Sequence, residues 1–185
     1  SIILPGVYLK GDTIIGKNCI IGPNTTIDNS KINDNVEVKN STIIDSEVES
    51  LSKIGPYAYL RPNSKIGKNV KIGDFVEVKN TSVGDGSKVS HLSYIGDGEI
   101  GKNVNIGCGV VFVNYNGKEK FKTKVGDDSF IGCNSNLVAP VTVHNKGYVA
   151  AGSTITQDVT SEALSIARKK QENKLKWVKN SGLLD

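Results

Sequence analysis

The chain has 185 residues, of which 37% are hydrophobic and 6% aromatic, and its formal net charge is +4. The charge is uneven, because residues 168 to 179 contain six basic residues and one acidic residue while the rest of the chain is close to neutral. A short basic segment on a neutral body differs from the broad basic face of nucleic-acid-binding proteins, so no nucleic-acid partner is expected. No apolar run approaches the roughly 20 residues that a membrane helix needs, so no membrane association is expected either.

The cysteine content indicates a reducing compartment. The chain has 3 cysteines, Cys19, Cys108 and Cys133, an odd number without the spacing of a disulfide framework or a zinc finger. No charged and then apolar leader opens the sequence, so a cytoplasmic location is expected. The 2 histidines are also too few for a zinc site with three histidine ligands.

Apolar residues recur at six-residue steps along most of the chain. The runs extend from Ile3 to Ile27, from Ile32 to Ile44, from Ile54 to Val78, from Val83 to Ile95, from Ile100 to Phe112, and from Val125 to Ile155. A period of six fits neither a helix (3.6) nor a single strand (2), but it is typical of short strands joined by tight bends. The pattern predicts an all-β parallel β-helix over residues 1–159, in which three hexapeptides form each coil of a triangular prism.

Two segments interrupt this period. Residues 113–124, VNYNGKEKFKTK, lengthen one hexapeptide by seven residues and are predicted to leave the prism as a protruding loop. Residues 160–185 are predicted to form an extended arm and a basic helical tail, with Leu175 and Val178 on one side of the helix. Such an apolar face needs a surface to cover, and a neighbouring chain would provide one.

Counting three apolar positions per coil predicts which residues are stacked. Val89, Ile106, Ile131 and Val149 are expected on successive coils, so the residues two places later form a column of His91, Cys108, Cys133 and Ala151. Small side chains above a histidine would let a thin ligand lie against the backbone, or they could simply fill a contact between subunits. The other histidine, His144, follows an ordinary repeat and is expected at the surface.

The same count places Arg61 and Lys79 on adjacent coils. Two fixed cations suit a phosphate group, although a pair of basic residues is more often a solvated edge. Tyr94 and Asn105 each precede an apolar repeat residue and could flank the same cleft. Asp74 is expected directly below His91.

Residues 54 to 168 resemble the C-terminal acetyltransferase domain of the bacterial bifunctional uridylyltransferase/glucosamine-1-phosphate acetyltransferases. The order of the matching stretches makes the resemblance specific: YLRPNSKIG, GDFVEVKN, HLSYIGDGEIGKNVNIGCG, VNYNGKEKFKT, IGCNSNLVAPV, AAGSTIT and LSIAR. The resemblance implies a left-handed β-helix that transfers acetyl from acetyl-CoA to the amino group of glucosamine 1-phosphate. It implies no metal for this transfer.

The resemblance also implies roles for individual residues. His91 is the expected general base and Glu77 the carboxylate that orients it, although the coil count favours Asp74. The expected sugar-phosphate contacts are Arg61, Lys79, Tyr94, Asn105 and Lys120. The expected acetyl-CoA contacts are Cys108, Asn114, Tyr115, Cys133, Ala151 and Arg168. Cys108 and Cys133 replace the alanine and serine that are usual in the family.

The family is trimeric, which implies a homotrimer with active sites between chains. The uridylyltransferase domain of the family is absent from this chain, which also lacks an initial methionine and is expected to be a C-terminal fragment. Three alternatives stay open: a hexapeptide acyltransferase with another acceptor, a non-enzymatic β-helical trimer scaffold, and a covalent route in which Cys108 and His91 act as nucleophile and base.

Overall fold

A computed structural model describes residues 1–182 and is almost entirely built of short parallel strands. In chain order, the strands are β1 (Ile2–Ile3), β2 (Tyr8–Lys10), β3 (Ile14–Ile15), β4 (Ile20–Ile21), β5 (Thr26–Asp28), β6 (Lys31–Ile32), β7 (Glu37–Val38), β8 (Thr42–Ile44), β9 (Glu47–Val48), β10 (Lys53–Ile54), β11 (Tyr59–Leu60), β12 (Lys65–Ile66), β13 (Lys71–Asp74), β14 (Glu77–Lys79), β15 (Ser82–Val83), β16 (Lys88–His91), β17 (Tyr94–Gly96), β18 (Gly98–Ile100), β19 (Asn105–Ile106), β20 (Val111–Val113), β21 (Thr123–Val125), β22 (Phe130–Ile131), β23 (Asn136–Val138), β24 (Val141–Val143), β25 (Tyr148–Val149), β26 (Thr154–Ile155) and β27 (Leu164–Ser165). One helix, α1 (Trp177–Ser181), follows them.

The strands form the three walls of a prism. The first wall has 10 strands, in the order β1-β4-β7-β10-β13-β16-β19-β22-β25-β27. The second wall has 9 strands, in the order β2-β5-β8-β11-β14-β17-β20-β23-β26, and the third has 8, in the order β3-β6-β9-β12-β15-β18-β21-β24. Each strand except those at the two ends of a wall therefore pairs with the strand one coil earlier and with the strand one coil later. The predicted all-β parallel β-helix is confirmed, and its architecture is consistent with the left-handed form.

The core is the set of apolar side chains that point into the prism. Ile21, Ile72 and Leu137 are fully buried, as are most of the residues of the predicted repeat. The first repeat residues, Ile3 and Leu9, are exposed.

One repeat position was assigned to the wrong residue. The second wall buries Ile43, which pairs with Ile27 and Leu60, while the predicted Ile44 is only half-buried. The reason is that the sides from Val38 to Ile43 and from Ile43 to Val48 have five residues each instead of six, after which Ile54 follows at the usual step. The stretch between residues 44 and 54 is therefore regular.

Residues with a left-handed backbone form the corners between walls. Each corner runs along the prism with one such position on most coils. The first corner joins the first wall to the second, the second corner joins the second wall to the third, and the third corner joins the third wall to the first. Asparagine occupies many of these positions, as in Asn40 and Asn80, since its short polar side chain tolerates positive φ. Three bulky apolar residues, Tyr57, Phe75 and Leu92, occupy successive positions of the first corner with φ between 46° and 57°.

The protruding loop and the tail complete the structure. The loop connects β20 to β21 in place of a second corner, and Tyr115 and Lys120 form an antiparallel bridge within it. Strand β27 of the arm pairs with β25 and so extends the first wall.

The helix forms only part of the predicted basic helical tail. It begins at Trp177, and Lys176 before it has a left-handed conformation. Lysines at positions 170 and 174 are four residues apart and would repel each other in a longer helix. Residues 183–185 of the predicted tail lie outside the described residues. Within residues 1–182, no helix has the length and apolarity needed to cross a bilayer.

Candidate active site

His91 lies at the end of β16, where the first wall meets the first corner. It is paired in register with Asp74 on the coil below, and its Nδ1 lies 2.6 Å from Asp74 Oδ1. This hydrogen bond holds the pKa of the Asp74 carboxyl below its ordinary value. With a proton on Nδ1 directed at a carboxylate, a neutral imidazole keeps its lone pair on Nε2, where it can accept a proton from a substrate.

Glu77 does not occupy the position expected of the orienting acid. It belongs to β14 on the second wall, and its Oε1 lies 2.7 Å from Nη1 of Arg61. The first corner separates β13, which ends with Asp74, from β14, which begins with Glu77. Asp74 is therefore directed towards His91 and Glu77 towards the cations of the second wall. In this structure the residue that holds His91 is therefore Asp74, as the coil count indicated.

Three cations gather on the second wall. Leu60 pairs with Val78, which puts Arg61 and Lys79 on adjacent coils as predicted, and Lys120 reaches them from the loop. The ammonium group of Lys79 beside Lys120 lowers the pKa of Lys120, and desolvation acts in the same direction. The bond to Glu77 raises the pKa of the Arg61 guanidinium. This group can bind a small dianion with charge-assisted hydrogen bonds.

Tyr94 lies beside this cation group. It pairs with Glu77 in register, and its ring covers the space that a side chain at Gly96 would need. Its hydroxyl oxygen is 3.5 Å from Nδ2 of Asn114, at the start of the loop. A glycine at position 96 is thus what leaves room for the phenol ring there.

Sequence reasoning missed Asp97, although it lies in the middle of this group. The side chain is in the second corner, and the residue is only 6% exposed. Its carboxylate accepts hydrogen bonds from Asn80 and Asn114 and lies 3.5 Å from Nζ of Lys79. The coil count could have given its position, because Asp97 is one coil above Asn80 and directly follows Gly96, which pairs with Lys79.

The column of small side chains above His91 has the predicted order. Ile106 pairs with Ile131 and Ile131 with Val149, and the amide groups of Gly109, Asn134 and Gly152 donate to the carbonyl oxygens of His91, Cys108 and Cys133. Cys108 is half-buried, and Cys133 and Ala151 are exposed. The column therefore leaves a narrow strip of backbone that a thin ligand can approach.

The remaining expected site residues are more scattered within one chain. Asn105 lies on the outer face of the first wall between Lys88 and Phe130, not on the wall of the cations. Tyr115 is exposed on the loop, and Arg168 is exposed beside Gly152 at the upper end of the column. Within the described 182 residues, no three histidine, cysteine or acidic side chains gather as metal ligands.

The prism of stacked hexapeptide coils places the chain among the proteins built of hexapeptide repeats. Residues 1–29 and 45–80 match the family described as bacterial transferase hexapeptide (six repeats). Residues 122–157 match the hexapeptide repeat of succinyl-transferase. The chain belongs to the hexapeptide-repeat transferase family.

The curated relatives that we compare with the chain are all described as bifunctional protein GlmU. The chain is 65% identical to the protein of Clostridioides difficile and 63% identical to that of Alkaliphilus oremlandii, in both cases over 100% of its length and 40% of the relative. The relative from Alkaliphilus metalliredigens is 57% identical over 99% of the chain and 40% of its own length. The chain thus spans about two fifths of the length of these proteins.

Solved structures share the fold at low sequence identity. The UDP-N-acetylglucosamine acyltransferase of Campylobacter jejuni aligns with a TM-score of 0.70 and 17% identity, over 99% of this chain and 78% of its own. The GDP-perosamine N-acetyltransferase of Caulobacter crescentus, solved as a histidine-to-alanine variant with CoA and GDP-perosamine, aligns with a TM-score of 0.55 and 16% identity, over 69% of this chain and 66% of its own. These likenesses show the prism fold.

Proposed function

We propose that this chain transfers the acetyl group of acetyl-CoA to the 2-amino group of glucosamine 1-phosphate, which gives N-acetylglucosamine 1-phosphate, a precursor of UDP-N-acetylglucosamine and of the cell wall. The observation that carries this proposal is the His91–Asp74 pair at 2.6 Å, at the foot of a column of small side chains. Similarity over the whole of this chain to about two fifths of the bifunctional GlmU proteins supports the choice of reaction. The reaction takes place in the cytoplasm under this proposal.

In the proposed mechanism, His91 acts as the general base. Its Nε2 accepts a proton from the attacking nitrogen of the sugar as the new C–N bond forms. The C–S bond of the thioester then breaks, and the departing sulfur takes up the proton held by His91, so that CoA leaves as its thiol and His91 returns to its neutral form. Asp74 keeps the imidazole oriented and stabilises its charged form. The column of Cys108, Cys133 and Ala151 receives the thin pantetheine arm. Tyr115 and Arg168 contact the rest of the coenzyme.

Arg61, Lys79 and Lys120 bind the phosphate group of the sugar in this proposal. Phosphate recognition by several fixed cations is strong and falls as salt screens the charges. Tyr94 and Asn105 contact the sugar. The transfer itself requires no metal, since the thioester is already activated and its developing negative charge can be met by protein donors.

A homotrimer with active sites between chains is part of the proposal. Tyr57, Phe75 and Leu92 line the first corner and are each 57–58% exposed, and the rings of Tyr57 and Phe75 stack at 5.4 Å. Bulky side chains in a left-handed backbone are costly, so an apolar edge of this kind is better explained by a covering copy of the chain than by solvent. Asn105, on another wall from the cations, would then serve the site of a neighbouring copy.

The test is an assay of free thiol released from acetyl-CoA, with and without glucosamine 1-phosphate. We expect release only with the amino-sugar phosphate, and a fall of about 100-fold or more in the His91→Ala variant, the range of general-base catalysis. His91 has a half-exposed side chain, so this variant should keep the fold and the oligomer.

Competing acceptors decide between related functions. Glucosamine 6-phosphate, which carries the same charge on another carbon, and free glucosamine are matched controls for the position and presence of the phosphate. If another amino sugar reacts and glucosamine 1-phosphate does not, the chain is a hexapeptide acyltransferase with a different acceptor. No thiol release with any acceptor would favour a non-enzymatic scaffold.

A further inference from the structure

Asp97 links two parts of the candidate site that the sequence treats as separate. It occupies the second corner directly beneath the protruding loop, since β17 pairs with β20 and the loop begins after β20. The side chains of Asp97 and Lys79 are 9% and 20% exposed, so their contact at 3.5 Å is well shielded from water. The carboxylate is thus a buried counter-charge for a cation of the proposed phosphate site.

Both ends of the loop are attached to the same residue. At its start, Nδ2 of Asn114 donates to Oδ2 of Asp97, and Asn114 is itself only 7% exposed. At its end, the amide of Thr123 donates to the carbonyl oxygen of Asp97 at 3.2 Å. The loop is closed at its base by a further bond of 2.8 Å from the amide of Phe121 to the carbonyl oxygen of Asn114.

The balance of interactions favours an ionised Asp97. Burial acts to raise the pKa of this carboxyl, but the hydrogen bonds from Asn80 and Asn114 and the charge of Lys79 outweigh it, and the pKa lies below its ordinary value. Asn80 donates to Oδ1 while Asn114 and Lys79 approach Oδ2. All of the polar groups that face the carboxylate oxygens are donors.

We propose that Asp97 is a positioning residue that holds Lys79 and the base of the loop in one arrangement, and so couples the binding of the sugar phosphate to the order of the loop. The inference rests on the proposed function for the identity of the ligand. The anchoring of the loop rests on the hydrogen bonds alone.

The substitution Asp97→Asn tests this role with little change in shape. Asparagine tolerates the positive φ of 52° at this position, so the backbone should be retained. Its single carbonyl oxygen can accept from Asn80 or from Asn114 and Lys79, but not from both sides, so its amide group faces groups that donate to Asp97 in the wild type. Coulomb attraction alone predicts that losing a negative charge beside the cations improves the binding of an anion. If Asp97 instead positions Lys79, its substitution should weaken the binding of the anion.

We therefore expect the KM for glucosamine 1-phosphate to rise about tenfold or more, the range for a lost hydrogen bond to a charged group, with kcat changed by less than about threefold. Trypsin should also cleave the variant faster at Lys118, Lys120 and Lys122 of the loop. Asn114→Ala, which removes the donor from the other side, should increase loop cleavage in the same way. Combined with Asp97→Asn, it should add little to either effect.

Asp45→Asn is the matched control. Asp45 occupies the second corner lower in the prism, with φ of 44°, and accepts a bond of 2.7 Å from Nδ2 of Asn29, but among the described residues it forms no ion pair, and it lies away from the loop. Its variant should keep wild-type kinetics and cleavage.

Three results would overturn the proposal: a KM that is unchanged or lower in Asp97→Asn, loop cleavage equal to that of the wild type, or the same changes in Asp45→Asn. If the wild-type chain does not acetylate glucosamine 1-phosphate, the proposed function fails. The cleavage rates of Asp97→Asn and Asn114→Ala still decide whether Asp97 anchors the loop.

Discussion

The identity of the acid that orients His91 can be decided by a matched pair of substitutions. Asp74→Asn keeps the shape and one hydrogen-bond acceptor but removes the charge that Nδ1 of His91 contacts at 2.6 Å. Glu77→Gln makes the same change at the carboxylate that binds Arg61. Since only Asp74 touches the imidazole, we expect kcat to fall in Asp74→Asn and to stay within about twofold of wild type in Glu77→Gln.

The size of the effect follows from the exposure of the pair. General-base catalysis contributes about 100- to 10,000-fold, and the orienting acid supplies part of it. The side chains of His91 and Asp74 are 52% and 36% exposed, so water can replace the lost carboxylate in part. We therefore expect kcat to fall about 10- to 30-fold in Asp74→Asn, which is less than the loss of about 100-fold or more expected when the general base itself is removed.

The assay measures initial rates of thiol release at saturating acetyl-CoA over a series of glucosamine 1-phosphate concentrations. Thermal unfolding and circular dichroism verify that both variants keep the fold. A kcat loss in Glu77→Gln together with normal turnover in Asp74→Asn would refute the assignment, and would mean that the side chains rearrange when the substrates bind.

Three further outcomes are expected from single features of the structure. Cys108→Ala should retain turnover measured by thiol release, and its loss would support the covalent route through Cys108. Ile72→Ala empties a fully buried position and should destabilise the prism by about 2–5 kcal/mol, measured by urea unfolding; an unchanged midpoint would contradict the burial of this side chain. The lowered pKa of Asp74 favours its ionised form in the folded chain, so its stabilising contribution is present above pH 3.8 and is lost as the pH falls through the lower folded value. The melting temperatures of wild type and Asp74→Asn should therefore converge below pH 3.8, and a constant difference would contradict the shift.

The sequence predicted the architecture well because each apolar repeat residue corresponds to one side of a coil. One large apolar residue on each side of a coil points inward, and each coil repeats the last. Counting these positions was therefore enough to place Asp74 beneath His91 and Arg61 beneath Lys79. The count went wrong only where two sides of five residues follow each other, from Val38 to Ile43 and from Ile43 to Val48. Ile43 and Ile44 are both suitable inward residues, and only the geometry of the corner selects the first.

Side-chain partners were harder to predict than positions. Register fixes the height of Glu77 in the prism, but its bond to Arg61 depends on rotamers that the repeat does not encode. The sequence alone does not distinguish Asp97 from an ordinary corner residue, since asparagine and aspartate serve at many corners for their tolerance of positive φ. Its role depends on the loop above it, which breaks the repeat.

The apolar first corner gives a test of the proposed trimer. Phe75 has φ of 55° and is 58% exposed, a conformation and an exposure that asparagine would tolerate better in an isolated chain. If the edge were open to solvent, Phe75→Asn should leave assembly unchanged and stabilise the chain slightly. If copies meet at this edge, the variant should dissociate at concentrations where the wild type stays assembled, as measured by sedimentation velocity. Leu51→Asn is the control, because Leu51 has φ of 67° and is 57% exposed at the third corner. Equal sedimentation of Phe75→Asn and wild type over the whole concentration range would exclude this edge from the contact.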